Sequence, residues 1–217
     1  MKLRFLPWLI LGMSALFSTA PVLAGLSEGV AAYVKKDYAT SARELRPLAK
    51  EGDAQAQTIW GLMHYGGHGV PQDYKEAAKW LRLAADQGNA TAQNDLGVMY
   101  TKGQGVPQDH KQAVKWYRLS AKQGLADAQA NLGMAYGNGN GVPLDYKEAV
   151  KWYRLASEKG HASAQNNLAT LYAKGRGVAQ DPEMAVRWYQ QAAKKGLVEA
   201  QFALGYMFAR GQGVDQD

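Results

Sequence analysis

The chain has 217 residues, a formal charge of +6, 47% hydrophobic residues and no cysteine. That length is one long domain or two short ones, and the mild positive charge makes no strong demand for a polyanionic partner, so no nucleic-acid partner is expected. Without cysteine there are no disulfides, and stability must come from packing.

Residues 1–24 are a different material from the rest. Lys2 and Arg4 precede an apolar run from Phe5 to Phe17, and small residues follow, ending Val22-Leu23-Ala24. This is the basic region, apolar region and small-residue cleavage site of a secretory signal peptide, with the cut expected after Ala24. A cut after Ala20 is disfavoured by Pro21. The alternative is an uncleaved anchor, but the run is short of the ~20 residues a span needs and holds Pro7. No later segment is apolar enough to cross a membrane, so no span is expected after cleavage. Losing Lys2 and Arg4 takes the charge of +6 down by two. The expected location is periplasmic or secreted, and no Cys follows the cut to carry a lipid.

Residues 25–52 read as an atypical helix pair. The first helix covers 26–36; the second covers 37–51, with Glu44 where later units carry Trp. Terminal units of stacked arrays are often modified in this way, because they cap the stack.

From 53 to 217 one loop recurs every 36 residues. It reads Gly67-His-Gly-Val-Pro-Gln-Asp73, Gly103-Gln-Gly-Val-Pro-Gln-Asp109, Gly139-Asn-Gly-Val-Pro-Leu-Asp145, Gly175-Arg-Gly-Val-Ala-Gln-Asp181 and Gly211-Gln-Gly-Val-Asp-Gln-Asp217. A fixed period of this size marks a stacked repeat protein whose units touch only their neighbours. After the loop, residues 73–88 form a B helix. Asp73 is its N-cap, with Glu76 completing a capping box that Asp145 and Glu148 repeat. Ala77, Trp80, Leu81, Ala84 and Ala85 share one face, and Gly88 supplies a left-handed stop. Residues 89–102 form an A helix, with Ala92, Gln93, Leu96, Gly97 and Tyr100 on one face. The array is thus four A–B pairs and a final unpaired A helix.

Equivalent positions can be compared inside the chain. Trp80, Trp116, Trp152 and Trp188 share a column, expected to be core packing. Gly61, Gly97, Gly133, Ala169 and Gly205 are small throughout, as two closely approaching helices require. The unvarying Gln57, Gln93, Gln129, Gln165 and Gln201 are expected to bond loop or helix-end backbone.

The pattern Ala-Gln-x-x-Leu-Gly-x-x-Tyr (92–100), Gly-x-Gly-Val-x-x-Asp (103–109) and Ala-x-x-Trp-Tyr-x-x-Ala-Ala-x-x-Gly (113–124, departing only at Ser120) resembles the Sel-one-like repeat. That family is related to the tetratricopeptide repeats, and its bacterial members are often exported. The resemblance is strong over 53–217 and loose over 26–52. It implies an all-α, α/α superhelical solenoid used as an adaptor for protein complexes. A cysteine-rich branch is linked to β-lactam binding, which leaves a β-lactam-interacting enzyme as a third, weak reading.

In the related repeats the concave surface is lined by A helices. The positions here opposite the core face are Asn94, Asp95, Val98, Thr101 and Lys102 and their equivalents, among them Asn131, Met134, Asn166, Asn167, Lys174, Tyr206 and Arg210. Their variation suits a graded groove for a protein or peptide partner, since Asn can pair with peptide backbone and Lys or Arg with carboxylates. Opposite the Trp face, Arg43, Lys79, Lys115, Lys151 and Arg187, with Arg82, Arg118 and Arg154, form a basic band. That band suits peptidoglycan or anionic lipid as the alternative partner.

Catalytic patterns are not found. His64 and His68 have helical spacing, but His68 falls in the glycine loop and no Glu or Cys joins them. The Gly-x-Gly pairs follow helices, not strands, and so are not dinucleotide loops. No enzyme activity, cofactor or metal is expected. Alanine at both Asn131 and Asn167 is expected to abolish partner capture at an unchanged melting temperature. Salt-sensitive association with anionic vesicles would instead mark the basic band as the working surface.

Overall fold

The computed structural model describes residues 19–213. The leader expected at 1–24, except for its last residues, and Asp217 lie outside the described residues. Eleven helices and no strand occur among the described residues. They are α1 (Thr19–Val34), α2 (Tyr38–Glu51), α3 (Ala54–Gly66), α4 (Tyr74–Asp86), α5 (Ala90–Lys102), α6 (His110–Lys122), α7 (Ala126–Asn138), α8 (Tyr146–Glu158), α9 (Ala162–Lys174), α10 (Pro182–Lys194) and α11 (Val198–Ala209). Each packs on the next in chain order, making an α/α superhelical solenoid. The odd helices from α3 are A helices and the even ones from α4 are B helices; α11 is the last A helix among the described residues.

Local chemistry sets each boundary. The Asp73 carboxylate accepts from the amides of Lys75 and Glu76, and Asp109, Asp145 and Asp181 repeat the device. The reciprocal half of the expected capping box is not made. Glu76 instead pairs with Lys79 at 3.2 Å, and the Asp73 amide donates to the His64 carbonyl. Helices α3, α5, α7 and α9 each end on a left-handed glycine, as at Gly103, φ 68°. The second loop glycine has a further reason to be glycine. A Cβ on Gly105 would lie 1.9 Å from the Tyr74 carbonyl oxygen, so each loop rests directly on the start of the preceding B helix.

Each buried cluster joins one B helix to the following A helix. Ala77, Leu81, Ala84 and Ala85 of α4 meet Ala92, Leu96 and Met99 of α5, and Trp116 of α6 closes the cluster from one side. This shifts the expected faces. The four tryptophans are half-buried at the seams between repeats, while the enclosed position is one residue later, at Leu81, Tyr117, Tyr153 and Tyr189. On the A helices the Met63, Met99 and Leu171 column is also buried. An A helix touches a B helix on either side, so its apolar face is wider than one stripe.

The invariant glutamines bond backbone, as their column suggested. Gln57 Nε2 donates to the Ala49 carbonyl at 3.1 Å, and Gln93, Gln129, Gln165 and Gln201 bond Ala85, Ala121, Ser157 and Ala193 in the same way. Each thereby supplies a donor to a carbonyl at the end of the preceding helix, where helices leave acceptors without partners.

The small column lies where A and B helices come closest. A Cβ on Gly97 would fall 2.6 Å from Tyr117 Cε1, and one on Gly133 would fall 2.8 Å from Tyr153 Cδ1. At Gly205 it would meet nothing within 4 Å, since no B helix packs on that face of α11 among the described residues. Gly97→Ala is therefore expected to destabilise the chain by about 1–3 kcal/mol through overpacking. Gly205→Ala should stabilise α11 by up to about 1 kcal/mol through helix propensity. Urea unfolding of both variants, compared with the parent, checks the opposite signs.

Candidate functional site

The candidate residues of the A helices do not form one free surface. Asn94 is buried, at 7% exposure. Its Nδ2 donates to Asp95 Oδ1 at 3.1 Å, and its Oδ1 accepts from Asn131 Nδ2 at 2.9 Å, linking α5 to α7. Val98 packs against the cluster of the next repeat. Asn167 hydrogen-bonds Tyr153, whose hydroxyl burial pushes up to about 12. Thr101 and Thr170 share hydrogens with the Tyr117 and Tyr189 hydroxyls, both at 2.9 Å. The side chains at 95, 131, 166 and 167 are half-buried, whereas Lys102, Met134, Lys174, Tyr206 and Arg210 are exposed. Asn131 and Asn167 thus hold neighbouring repeats together, and removing both would lower the melting temperature, contrary to the expectation from sequence.

The largest exposed apolar side chains on this face cluster at its C-terminal end. Phe202 is 78% exposed and Tyr206 47%, beside a groove of about 630 Å³ between α9, α10 and α11. Lys174 and Tyr189 complete its rim and floor, and the Arg210 guanidinium lies 4.5 Å from the Tyr206 ring centroid. Phe202 belongs to the Asn94 column but was not singled out from it in the sequence. Its signal was present, since its column otherwise holds Thr58, Asn94, Ala130 and Asn166.

The basic band is mostly engaged. Arg82 donates to the Tyr100 hydroxyl, Arg118 to Tyr136 at 3.0 Å and Arg154 to Tyr172 at 2.9 Å. Arg82 also lies 5.4 Å from the Trp116 ring centroid, between two aromatics of the following repeat. Lys79 and Lys151 pair with Glu76 and Glu148, and Arg43 with Glu28 and Glu44. Lys115 and Arg187 stand exposed. Where Gln190 replaces the arginine, Phe208 replaces the tyrosine, so both partners change together. His68 stacks on Tyr38 at 4.6 Å, and His64 meets the edge of Trp60. Among the described residues no three His, Cys, Asp or Glu side chains are grouped to hold a metal ion.

Asp95 differs from its neighbours in charge as well as position. Burial pushes its carboxyl up to about 6, the Asn94 hydrogen bond pulls the other way, and the charge of Asp127 adds to the rise.

Fold and surfaces together define a class: a helical repeat scaffold that presents faces of stacked helices. The chain belongs to the Sel1 repeat family, whose repeat matches residues 54–89, 90–125, 126–161, 162–197 and 198–217. Proteins of this family are generally non-catalytic scaffolds for protein–protein interaction. The chain is similar to a protective antigen of uropathogenic Escherichia coli displaying an SLR fold, with 38% identity and a TM-score of 0.84. The match covers 90% of this chain and 43% of that one, so this chain spans less than half the length of the E. coli protein. A Sel1 repeat protein from Oxalobacter formigenes is 36% identical, with a TM-score of 0.84, over 89% of this chain and 77% of that one. A Klebsiella pneumoniae protein at 18% identity and TM-score 0.58, over 86% of this chain and 92% of that one, shares the fold. No curated protein matches the chain.

The shift at Asp95 gives a pH-dependent expectation. Its folded value of about 6 lies above an unfolded value near 3.9, so the folded state binds the proton more tightly. The carboxylate therefore costs stability at neutral pH, and the cost fades as pH falls through about 6 towards about 4. Asp95→Asn is expected to stabilise the chain by about 2 kcal/mol at pH 7, with little gain near pH 4. Thermal unfolding of parent and variant across that range checks it.

Proposed function

We propose that this protein is an exported scaffold that binds a protein or peptide partner along its A-helix surface, the concave side of the superhelix. Export rests on the leader read in residues 1–24, and the location we propose is the periplasm or beyond. The observation that carries the surface assignment is the pair of exposed aromatics, Phe202 and Tyr206, beside the groove between α9, α10 and α11. Met134, Phe202 and Tyr206 stand out on A helices, with Lys102, Lys174 and Arg210 among them as cations. Contiguous exposed apolar surface rimmed by charge is what interaction sites present, and aromatic residues with Arg are the side chains that most often carry binding energy.

The envelope-binding alternative draws on the basic band. Three of its arginines are anchored to tyrosines and three further cations to glutamates, which weakens that reading.

A photoreactive residue placed at Met134, Tyr206 or Lys115 tests the proposal in an envelope extract. Expected are partner crosslinks from positions 134 and 206, with none from 115. Crosslinks from 115 alone, together with salt-sensitive sedimentation on cell wall or anionic vesicles, would favour the alternative.

A further inference from the structure

Five A helices carry an equivalent of position 95. They hold Ile59, Asp95, Asn131, Asn167 and Ala203. Four are neutral, so the fold does not need a charge at this position. Asp95 alone places a carboxylate there, and it borders a cavity of about 100 Å³ walled by Leu62, Tyr65, Leu81, Val98 and Met99. Its hydrogen bond among the described side chains comes from Asn94 Nδ2, and no ion pair among the described residues includes it. Tyr33 of α1 lies near enough to feel the Asp95 charge, and Asp127 of α7 adds to the negative field. A desolvated carboxylate without a counter-ion is costly and is a recurrent mark of a binding position.

We propose that this cavity seats the side chain of a partner's lysine, a primary ammonium on an aliphatic stem. The apolar walls suit the methylenes, which long cationic side chains pack on nonpolar surface while the charge finds an acceptor. The volume is about that of three waters, enough for one slender chain and too small for a folded element. Ammonium is favoured over guanidinium by the state of the carboxylate. Asn94 already occupies Oδ1, and a guanidinium fork is best satisfied by both oxygens of one carboxylate. An ammonium needs a single well-placed acceptor and brings compact charge. The Tyr65 hydroxyl in the wall is already bonded to Gln104 Oε1 at 2.8 Å, so it does not compete for Asp95.

The source of the lysine rests on the A-helix scaffold proposed above; the seat itself can be tested with a free probe, whatever the crosslinking shows. The isotope-labelled full chain is titrated with doubly blocked lysine, and separately with blocked norleucine, blocked arginine and blocked Nζ-acetyl-lysine, while amide shifts are followed by NMR. Saturable shifts at Leu62, Asp95 and Val98 are expected with lysine, about tenfold tighter than with any of the other three. Asp95→Asn should remove the lysine response without lowering the melting temperature at pH 7. Equal response to norleucine or arginine, no response to lysine at those residues, or an unchanged response in Asp95→Asn would each overturn the proposal. A melting temperature lowered by Asp95→Asn would also overturn it, by making the carboxylate a structural group.

Discussion

The close approach of each A helix to the B helix that follows it is the contact on which the stack depends. Gly61, Gly97 and Gly133 let a Leu or Tyr of the next helix press against the A-helix backbone, where a Cβ would fall within 3.0 Å of that side chain. With the helices so close, Tyr117, Tyr153 and Tyr189 are enclosed, and their hydroxyls must be satisfied. Thr101, Asn167 and Thr170 do this from A-helix positions that the helical period alone would assign to solvent. The same geometry sets the tryptophans at the seams. They bridge a repeat to the buried cluster before it instead of filling the centre.

A second layer of polar contacts fixes the register between repeats. The invariant glutamines bond the last turn of the preceding helix, and a second glutamine joins three of them: Gln87 donates to Gln57 and Gln123 to Gln93, both at 2.8 Å, and Gln191 accepts from Gln165 at 3.1 Å. Lys159 and Lys195 take that position later in the chain and reach the Gly124 and Gly160 carbonyls. The arginine–tyrosine pairs belong to the same layer. Their joint loss at Gln190 and Phe208 falls at the last described seam, between α10 and α11. Much of what reads as surface chemistry in the sequence is therefore spent inside the stack. Among the apolar side chains left exposed are Met134, Phe202 and Tyr206 on A helices and Leu83, Leu119 and Leu155 on B helices.

Repetition made the fold legible. The period, the capping aspartates, the stop glycines, the small column and the glutamine column can all be read by comparing units, and the structure contains each. The faces were less legible, for a physical reason. A helix sandwiched between two others buries two faces rather than one stripe, so opposing a core residue does not imply exposure. Asn94 is the clearest case, because an amide with both ends bonded looks like a binding residue in sequence. Arg118 is another: nothing in its own helix shows that Tyr136, eighteen residues on, takes its hydrogen. Phe202 was visible as an outlier in its column, but its weight came only from the groove beside it between α9, α10 and α11.

Amide hydrogen exchange on the full chain tests most directly whether A–B closure holds the array together. Helices α5 to α8, closed on both sides, should exchange slowly and as a block. Helix α11, which among the described residues has no B helix packed on its far side, should exchange orders of magnitude faster, even though it belongs to the same repeat series. Equal protection of α11 and α5 would contradict the account, because a helix covered on one side would then be as stable as one wedged between two.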